Sequence, residues 1–184
     1  MSAAPARRVS VVGSAGSGKT TTARRIAQRL DIPHVELDAL YWGPGWTPAP
    51  RQVFRARITG VVRSEAWVVD GNYSKARDIV WSRAEMVVWL DYALPVILGR
   101  LVRRTVHRSI RREELWNGNR ESLRQSLFSR ESIVLWALKT YRRHRKEYSA
   151  LLERPEYAHL KVVHLRSPRS ARSWLAVLPA VRMN

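Results

Sequence analysis

Arg8 to Val12 (RVSVV), Gly13-Ser14-Ala15-Gly16-Ser17-Gly18-Lys19-Thr20, and Thr21 to Leu30 (TTARRIAQRL) follow one another without a break. The first stretch is a short apolar run with strand character. The second matches G-x-x-x-x-G-K-[ST] in full. In the third, Ala23, Ile26, Ala27 and Leu30 fall at i, i+3, i+4 and i+7, and arginines take the other face. Strand, glycine loop, helix is the order in which a phosphate-binding loop is built. Its glycines let successive backbone N–H groups turn inward as an anion nest. The helix behind presents its positive N-terminus to the same phosphates. Residues 13 to 20 together with Thr21 are therefore the expected ATP-binding residues. Lys19 would reach the β- and γ-phosphates, and Thr20 would set a hydroxyl on Mg²⁺.

Beyond this loop the pattern alternates. His34 to Leu37, Trp67 to Asp70, Glu85 to Asp91 and Leu160 to Leu165 are strand-like runs rich in Val and Leu. Between them, Gln52 to Arg63, Ser74 to Ser82, Leu94 to Ile110, Ile133 to Leu152 and Pro168 to Leu178 have helical spacing. In the first of these, Val53, Ile58, Val61 and Val62 are the candidate inward residues. Asp38 to Pro50 (DALYWGPGWTPAP) holds two Gly, three Pro and two Trp and reads as loop. Near-continuous apolar strands alternating with helices predict a five-stranded parallel sheet covered on both faces.

The chain has 184 residues, no cysteine and a formal net charge of +18. That length favours one domain over 1–184. The missing cysteines exclude a disulfide scaffold, a cysteine nucleophile and a thiolate zinc site. Met1 to Arg8 lacks the apolar core of a signal peptide, so a cytoplasmic setting is expected. No apolar run approaches the roughly 20 residues of a membrane helix. Of the 33 basic residues, 28 are Arg, the side chain that forks onto phosphate or carboxylate with two parallel bonds. Residues 100–154 carry 15 Lys/Arg against six acids, so half of the excess charge sits in under a third of the length. Nucleic-acid binding and phosphate handling both fit this balance.

A phosphate loop needs an acid at the end of a neighbouring strand to hold Mg²⁺. Asp70 and Asp91 are the candidates. Asp70 is preferred because Gly71 and Asn72 permit a tight turn, whereas Asp91 precedes a helix start that it can cap. Arg100, Arg104, Arg108 and Arg111 or Arg112 recur at helical spacing. Arg104, Arg108 and Arg112 are the choices for stabilising the transferred phosphoryl group, within an Arg-rich lid over 100–125. Residues 111 to 125 are expected to order on ATP. Trp42 and Trp46 flank Gly43-Pro44-Gly45 and offer either a stacking surface or a cover for the core. The five histidines show no metal-ligand pairing; His34 and His164 are read as structural.

A set of motifs completes the pattern: Gly13–Thr20, Leu37-Asp38-Ala39-Leu40-Tyr41-Trp42, Val68-Val69-Asp70-Gly71-Asn72-Tyr73, Trp89-Leu90-Asp91-Tyr92, Glu114-Leu115-Trp116-Asn117-Gly118-Asn119 and His164-Leu165-Arg166-Ser167. Together they resemble the adenylate-kinase-like P-loop kinases labelled topology modulation proteins, from about Val9 to the C-terminus. The resemblance implies an α/β P-loop NTPase fold, with strand order 2-3-1-4-5 and an Arg-rich helical lid. It also implies that Asp70-Gly71 matches the Asp-Gly that ends the third strand of adenylate kinases. Those enzymes continue with Phe-Pro-Arg, but here Asn72-Tyr73-Ser74 follow. The phosphate-binding arginine is thus missing from its place, and Arg77 or Arg83 is left to substitute. Asp38, 19 residues after Lys19, matches an acid that in shikimate-kinase-like enzymes binds the acceptor hydroxyl. Asp38, Trp42 and Arg77 are accordingly the expected acceptor-binding residues.

These readings converge on Mg²⁺- and ATP-dependent phosphoryl transfer to a small-molecule acceptor, of the nucleoside- or nucleotide-kinase kind. Two alternatives stand beside it: a nucleic-acid-associated NTPase, and a regulatory nucleotide-binding protein affecting DNA topology. The acceptor, the choice of ATP over GTP and the oligomeric state are left open.

Overall fold

The computed structural model describes residues 6–111, 114–119 and 133–179. Five strands form one all-parallel sheet in the order β2-β3-β1-β4-β5: β1 Arg8–Gly13, β2 His34–Glu36, β3 Trp67–Asp70, β4 Met86–Leu90 and β5 Lys161–Leu165. This is the expected order. The central strands are buried almost without interruption, which is why they read as Val-rich runs and not as alternating ones.

The helices are α1 Lys19–Leu30, α2 Leu37–Tyr41, α3 Arg51–Val62, α4 Arg77–Trp81, α5 Leu94–Ile110, α6 Ile133–Leu152 and α7 Pro168–Val177. Ala23, Ile26, Ala27 and Leu30 of α1, Ile97 of α5, and Ala171 and Leu175 of α7 cover one face of the sheet. Phe54, Ile58 and Val62 of α3, Val80 and Trp81 of α4, and Tyr148 and Leu151 of α6 cover the other. Ser167 caps α7: its hydroxyl accepts from the Ser170 amide at 3.0 Å, and Ser170 Oγ accepts from the Ser167 amide at 3.1 Å.

Two local expectations need correction. The inward face of α3 runs through Phe54, Ile58 and Val62 at four-residue steps, so Val53 falls off it and is 41% exposed, while Phe54 is 0% exposed. The stretch 38–50, expected as loop, contains most of α2 and a 3-10 turn at Pro44–Trp46.

β1 lies at the centre, and the chain passes from it outward to β2 across β3, then returns from β3 to β4 across β1. The connections therefore diverge at the C-terminal ends of β1, β3 and β4, where an open α/β sheet offers a crevice for ligands. Gly13, Asp70 and Leu90 end these strands.

Candidate active site

The phosphate loop leaves β1 at Gly13 and enters α1 at Lys19. Gly13, Gly16 and Gly18 have φ of 147°, 82° and 91°, where a side chain is strained. Space is closed as well. A Cβ on Gly13 would stand 2.5 Å from the Leu90 carbonyl oxygen, and one on Gly16 2.7 Å from that of Ile97. β4 and α5 thus press the loop into a shape that only glycine tolerates. The Ser17 amide donates to Ser14 O at 3.1 Å, and the Thr22 amide to Gly18 O at 3.0 Å. Ser14 and Ser17 are buried, Ala15 is half-buried, and Thr21 is exposed on the first turn of α1. Ser17 Oγ is buried with no hydrogen-bond partner among the described residues.

Lys19 Nζ folds back over the loop, donating to Gly13 O at 2.9 Å and Ser14 O at 3.3 Å. Burial pushes its ammonium below the usual lysine range. Asp70 and Asp38 oppose that shift, and Arg104 adds to it. One lysine therefore feels charges on β3, α2 and α5 at once.

Asp70 ends β3 and is 3% exposed. Thr20 Oγ1 donates to one of its oxygens at 3.2 Å, and His34 Nε2 lies 2.7 Å from the other. A hydroxyl and a carboxylate side by side fit a hard cation such as Mg²⁺, which keeps several waters and takes few protein ligands. The structure thus unites Thr20 and Asp70. His34, read as structural, turns out to be the group that orients Asp70. Asp91 has other partners: Arg145 Nε of α6 at 2.8 Å and His164 Nε2 of β5 at 3.0 Å, with His164 stacked on Trp89 at 4.1 Å between ring centres. The expected role of Asp91 as a helix cap gives way to a tie between α6 and β5.

Asp38 lies on α2 and accepts a hydrogen bond from the Tyr73 hydroxyl at 2.5 Å. Burial pushes its carboxyl upward; Tyr73 and Lys19 pull it down, Asp70 pushes it up and Arg104 pulls it down. Burial first, and then Asp38, also pushes Tyr73 well above the usual phenol range; a hydrogen bond with Trp42 opposes them. Trp42 is half-buried and meets Tyr41 and Trp46 edge to face, at 4.9 and 5.7 Å between ring centres. Arg77 does not serve as a free acceptor cation. Its Nη2 donates to Glu147 Oε1 at 2.7 Å, and its guanidinium lies over Trp81 and Tyr148. Arg83 reaches Arg63 O at 3.4 Å, away from this crevice.

Asn72, read from the sequence only as a turn residue after Asp70, has a further role. Its amide clamps the end of β1: Nδ2 donates to Gly13 O at 2.5 Å, Oδ1 accepts from the Gly13 amide at 3.2 Å, and the Tyr148 hydroxyl donates to Oδ1 at 3.1 Å. Burial pushes the Tyr148 phenol up to about 12. A cavity of about 10 Å³, large enough for one water, lies beside this clamp and is bounded by Asn72, Tyr73, Arg77 and Tyr148.

On α5 the arginine stripe is present. Arg100 Nη1 donates to Ser17 O at 3.0 Å, so the stripe touches the loop one turn earlier than the chosen residues. Arg104 is half-buried and close enough to Lys19 and Asp38 to shift both; Arg108 is half-buried one turn further on. Arg112 and most of the second half of the expected lid lie outside the described residues. Residues 114–119 are described, and they dock on the loop after α2. Trp116 Nε1 donates to Glu36 Oε2 at 3.0 Å. Asn119 Nδ2 donates to Gly43 O at 2.9 Å, and Asn119 Oδ1 accepts from the Trp46 amide at 2.8 Å. Asn117 Nδ2 donates to Trp42 O.

Among the described residues no helix is long and apolar enough to cross a membrane. No curated protein matches the sequence. Several solved structures share the fold. A gluconokinase from Sinorhizobium meliloti 1021 is 22% identical over 92% of this chain and 91% of its own, with a TM-score of 0.51. A shikimate kinase from Bacteroides thetaiotaomicron is 16% identical over 93% of this chain and 95% of its own, with a TM-score of 0.52. The shikimate kinase of Aquifex aeolicus vf5 is likewise 16% identical over 93% and 95%, with a TM-score of 0.52. At such identities the likeness speaks for the fold, an α/β P-loop NTPase. A family profile described as AAA domain matches residues 9–177. With that match running from the second residue of β1 to the last of α7, the chain belongs to the AAA domain family.

Proposed function

We propose that this protein is a Mg²⁺- and ATP-dependent phosphotransferase acting on a small hydroxyl-bearing acceptor. The observation that carries the reading is that Lys19, bonded over the phosphate loop, and Asp38, bonded to Tyr73, feel each other's charge. The lysine of the phosphate loop and the carboxylate nineteen residues later lie close enough to shift each other's proton affinity. One group is suited to a phosphoryl donor and the other to a hydroxyl acceptor. The solved structures of similar fold are named as gluconate and shikimate kinases, which supports the same class of reaction.

In this reading residues 13–21 hold the triphosphate. Asp38 orients the acceptor hydroxyl. The acceptor oxygen attacks the γ-phosphorus, the bond from that phosphorus to the β–γ bridging oxygen breaks, and ADP leaves. The hydroxyl proton passes to Asp38 late in the transfer. Lys19 and Arg104, joined in the proposal by Arg108 and Arg112, stabilise the charge on the transferring group. Thr20 and Asp70 would hold Mg²⁺, which would supply positive charge against the phosphates. A single domain with a lid over 100–125 and a cytoplasmic setting belong to the same proposal. So does the finer likeness to the topology modulation proteins, whose label keeps a nucleic-acid-associated alternative in play.

Lys19→Ala is the direct test. The variant keeps the loop glycines, and its circular dichroism should match the parent. ADP release with an active acceptor should fall by about 10²-fold or more. Turnover at the parental rate would overturn the reading.

A further inference from the structure

Among the described residues, the acceptor side of the crevice carries the Asp38 carboxylate and aromatic rings, and the cations beside it are engaged. Asp38 faces it from α2, with Tyr73 bonded to its carboxylate. Tyr41 and Tyr73, both half-buried with ring centres 4.7 Å apart, form a wall over the fully buried Phe54. Among the described residues, the cations nearest to this wall are committed elsewhere. Arg77 is paired with Glu147 at 2.7 Å and lies over the rings of Trp81 and Tyr148. Arg57 donates to Leu40 O at 2.8 Å. Arg55 makes two bonds to Asp78, at 2.9 and 2.7 Å. Lys75 lies over the Tyr41 ring. Lys19 and Arg104 belong to the nucleotide side, where a triphosphate would claim them.

Among the described residues, a phosphate or carboxylate on the acceptor would therefore meet the Asp38 charge and an Arg77 that Glu147 already neutralises. Like charges so placed cost affinity. A ring bearing hydroxyls meets no such cost: Asp38 accepts from one hydroxyl, and the aromatic wall covers an apolar face.

Resting on the kinase reading above, we propose that the acceptor is an uncharged polyhydroxylated compound, a sugar or nucleoside, and that the Arg77–Glu147 pair excludes acceptors bearing phosphate or carboxylate. Transfer then joins the γ-phosphoryl group to an acceptor hydroxyl oxygen, releases ADP and leaves the hydroxyl proton on Asp38.

The test uses matched pairs differing only in the anionic group: nucleosides against their 5′-monophosphates, and hexoses against hexonates. ADP release is measured for each with the whole protein. The neutral member of a pair should be favoured in kcat/KM by at least about tenfold. Glu147→Gln frees the Arg77 guanidinium, and the preference should narrow by about tenfold, through the KM of the anionic member. Because the ratio is taken within one preparation, partial unfolding lowers both arms and leaves it unmoved. A parent that prefers the anionic member, or a ratio unchanged in Glu147→Gln, would overturn the exclusion and leave the kinase reading standing. Transfer to neither member of any pair would bring both down.

Discussion

Asp70 and Asp91 look alike in the sequence: each follows a buried apolar run, Trp67-Val68-Val69 and Met86 to Leu90. Their surroundings separate them. Asp70 meets a hydroxyl from the phosphate-loop helix and a histidine from β2. Asp91, 6% exposed, spends its oxygens on Arg145 and His164. Asp70→Asn should therefore weaken Mg²⁺ dependence, raising the Mg²⁺ concentration for half-maximal activity by at least about tenfold, as disturbed metal sites do. Asp91→Asn should leave that titration near the parental curve and lower stability by about 1–3 kcal/mol, since a buried acceptor loses its charge beside a cation. Denaturant midpoints and Mg²⁺ titrations on both variants check this, and the opposite pattern would exchange the two roles. The glycines of the loop were legible from sequence because each obeys a local demand, a positive φ. The Asp38–Tyr73 bond was not, because it joins residues 35 apart whose pairing depends on where α2 sits relative to the end of β3.

At the scale of elements, long regular pieces could be read and short irregular ones could not. The 94–110 and 133–152 helices and the 67–70 strand have the expected bounds, since a sustained period of 3.6 or a fully apolar run survives any tertiary context. α2 was hidden by the glycines and prolines just beyond it, although its five residues carry Asp38. The docking of 114–119 onto the loop after α2 was also hidden, because it rests on amide side chains and not on hydrophobic period. Asn117 and Asn119 both bond backbone groups of that loop, and Asn119 is 3% exposed. This clasp joins the foot of the proposed lid to the element that presents Asp38. Asn119→Ala strands the Trp46 amide and the Gly43 carbonyl, and a loss of about 1–3 kcal/mol is expected if neither finds water. Under the proposed function, KM for the acceptor should rise several-fold more than KM for ATP, because the loop after α2 lies on the acceptor side. Equal rises in both constants would show that the clasp serves the whole site and not the acceptor loop.

For the molecule as a whole, the open question is what the +18 charge does. Parts of it are spent internally: Arg8 on Glu85 at 2.7 Å, Arg55 on Asp78, Arg77 on Glu147 and Arg145 on Asp91. The rest confers a positive field that attracts any polyanion, so DNA or RNA is expected to bind weakly and without sequence preference at low salt. Such binding releases counterions, and its affinity should fall steeply, by about 10³-fold or more between 50 and 200 mM salt if six or more phosphates are touched. Phosphoryl transfer at a crevice walled by β1, β3 and α5 does not depend on that exchange. Under the proposed function, ADP release with a small acceptor should proceed with no nucleic acid present. Added duplex or single strands at 150 mM salt should leave its rate within about twofold, since the polyanion is largely released there. The nucleic-acid-associated alternative makes the opposite demand: ATP turnover should be low until nucleic acid is supplied, and should then rise and lose its stimulation as salt is raised. Measuring ADP release with and without acceptor, with and without DNA, at two salt concentrations sets these against each other. Stimulation by nucleic acid of tenfold or more in the absence of any acceptor would transfer the basic surface from solvent-facing helix to working interface, and the phosphate loop from kinase to NTPase.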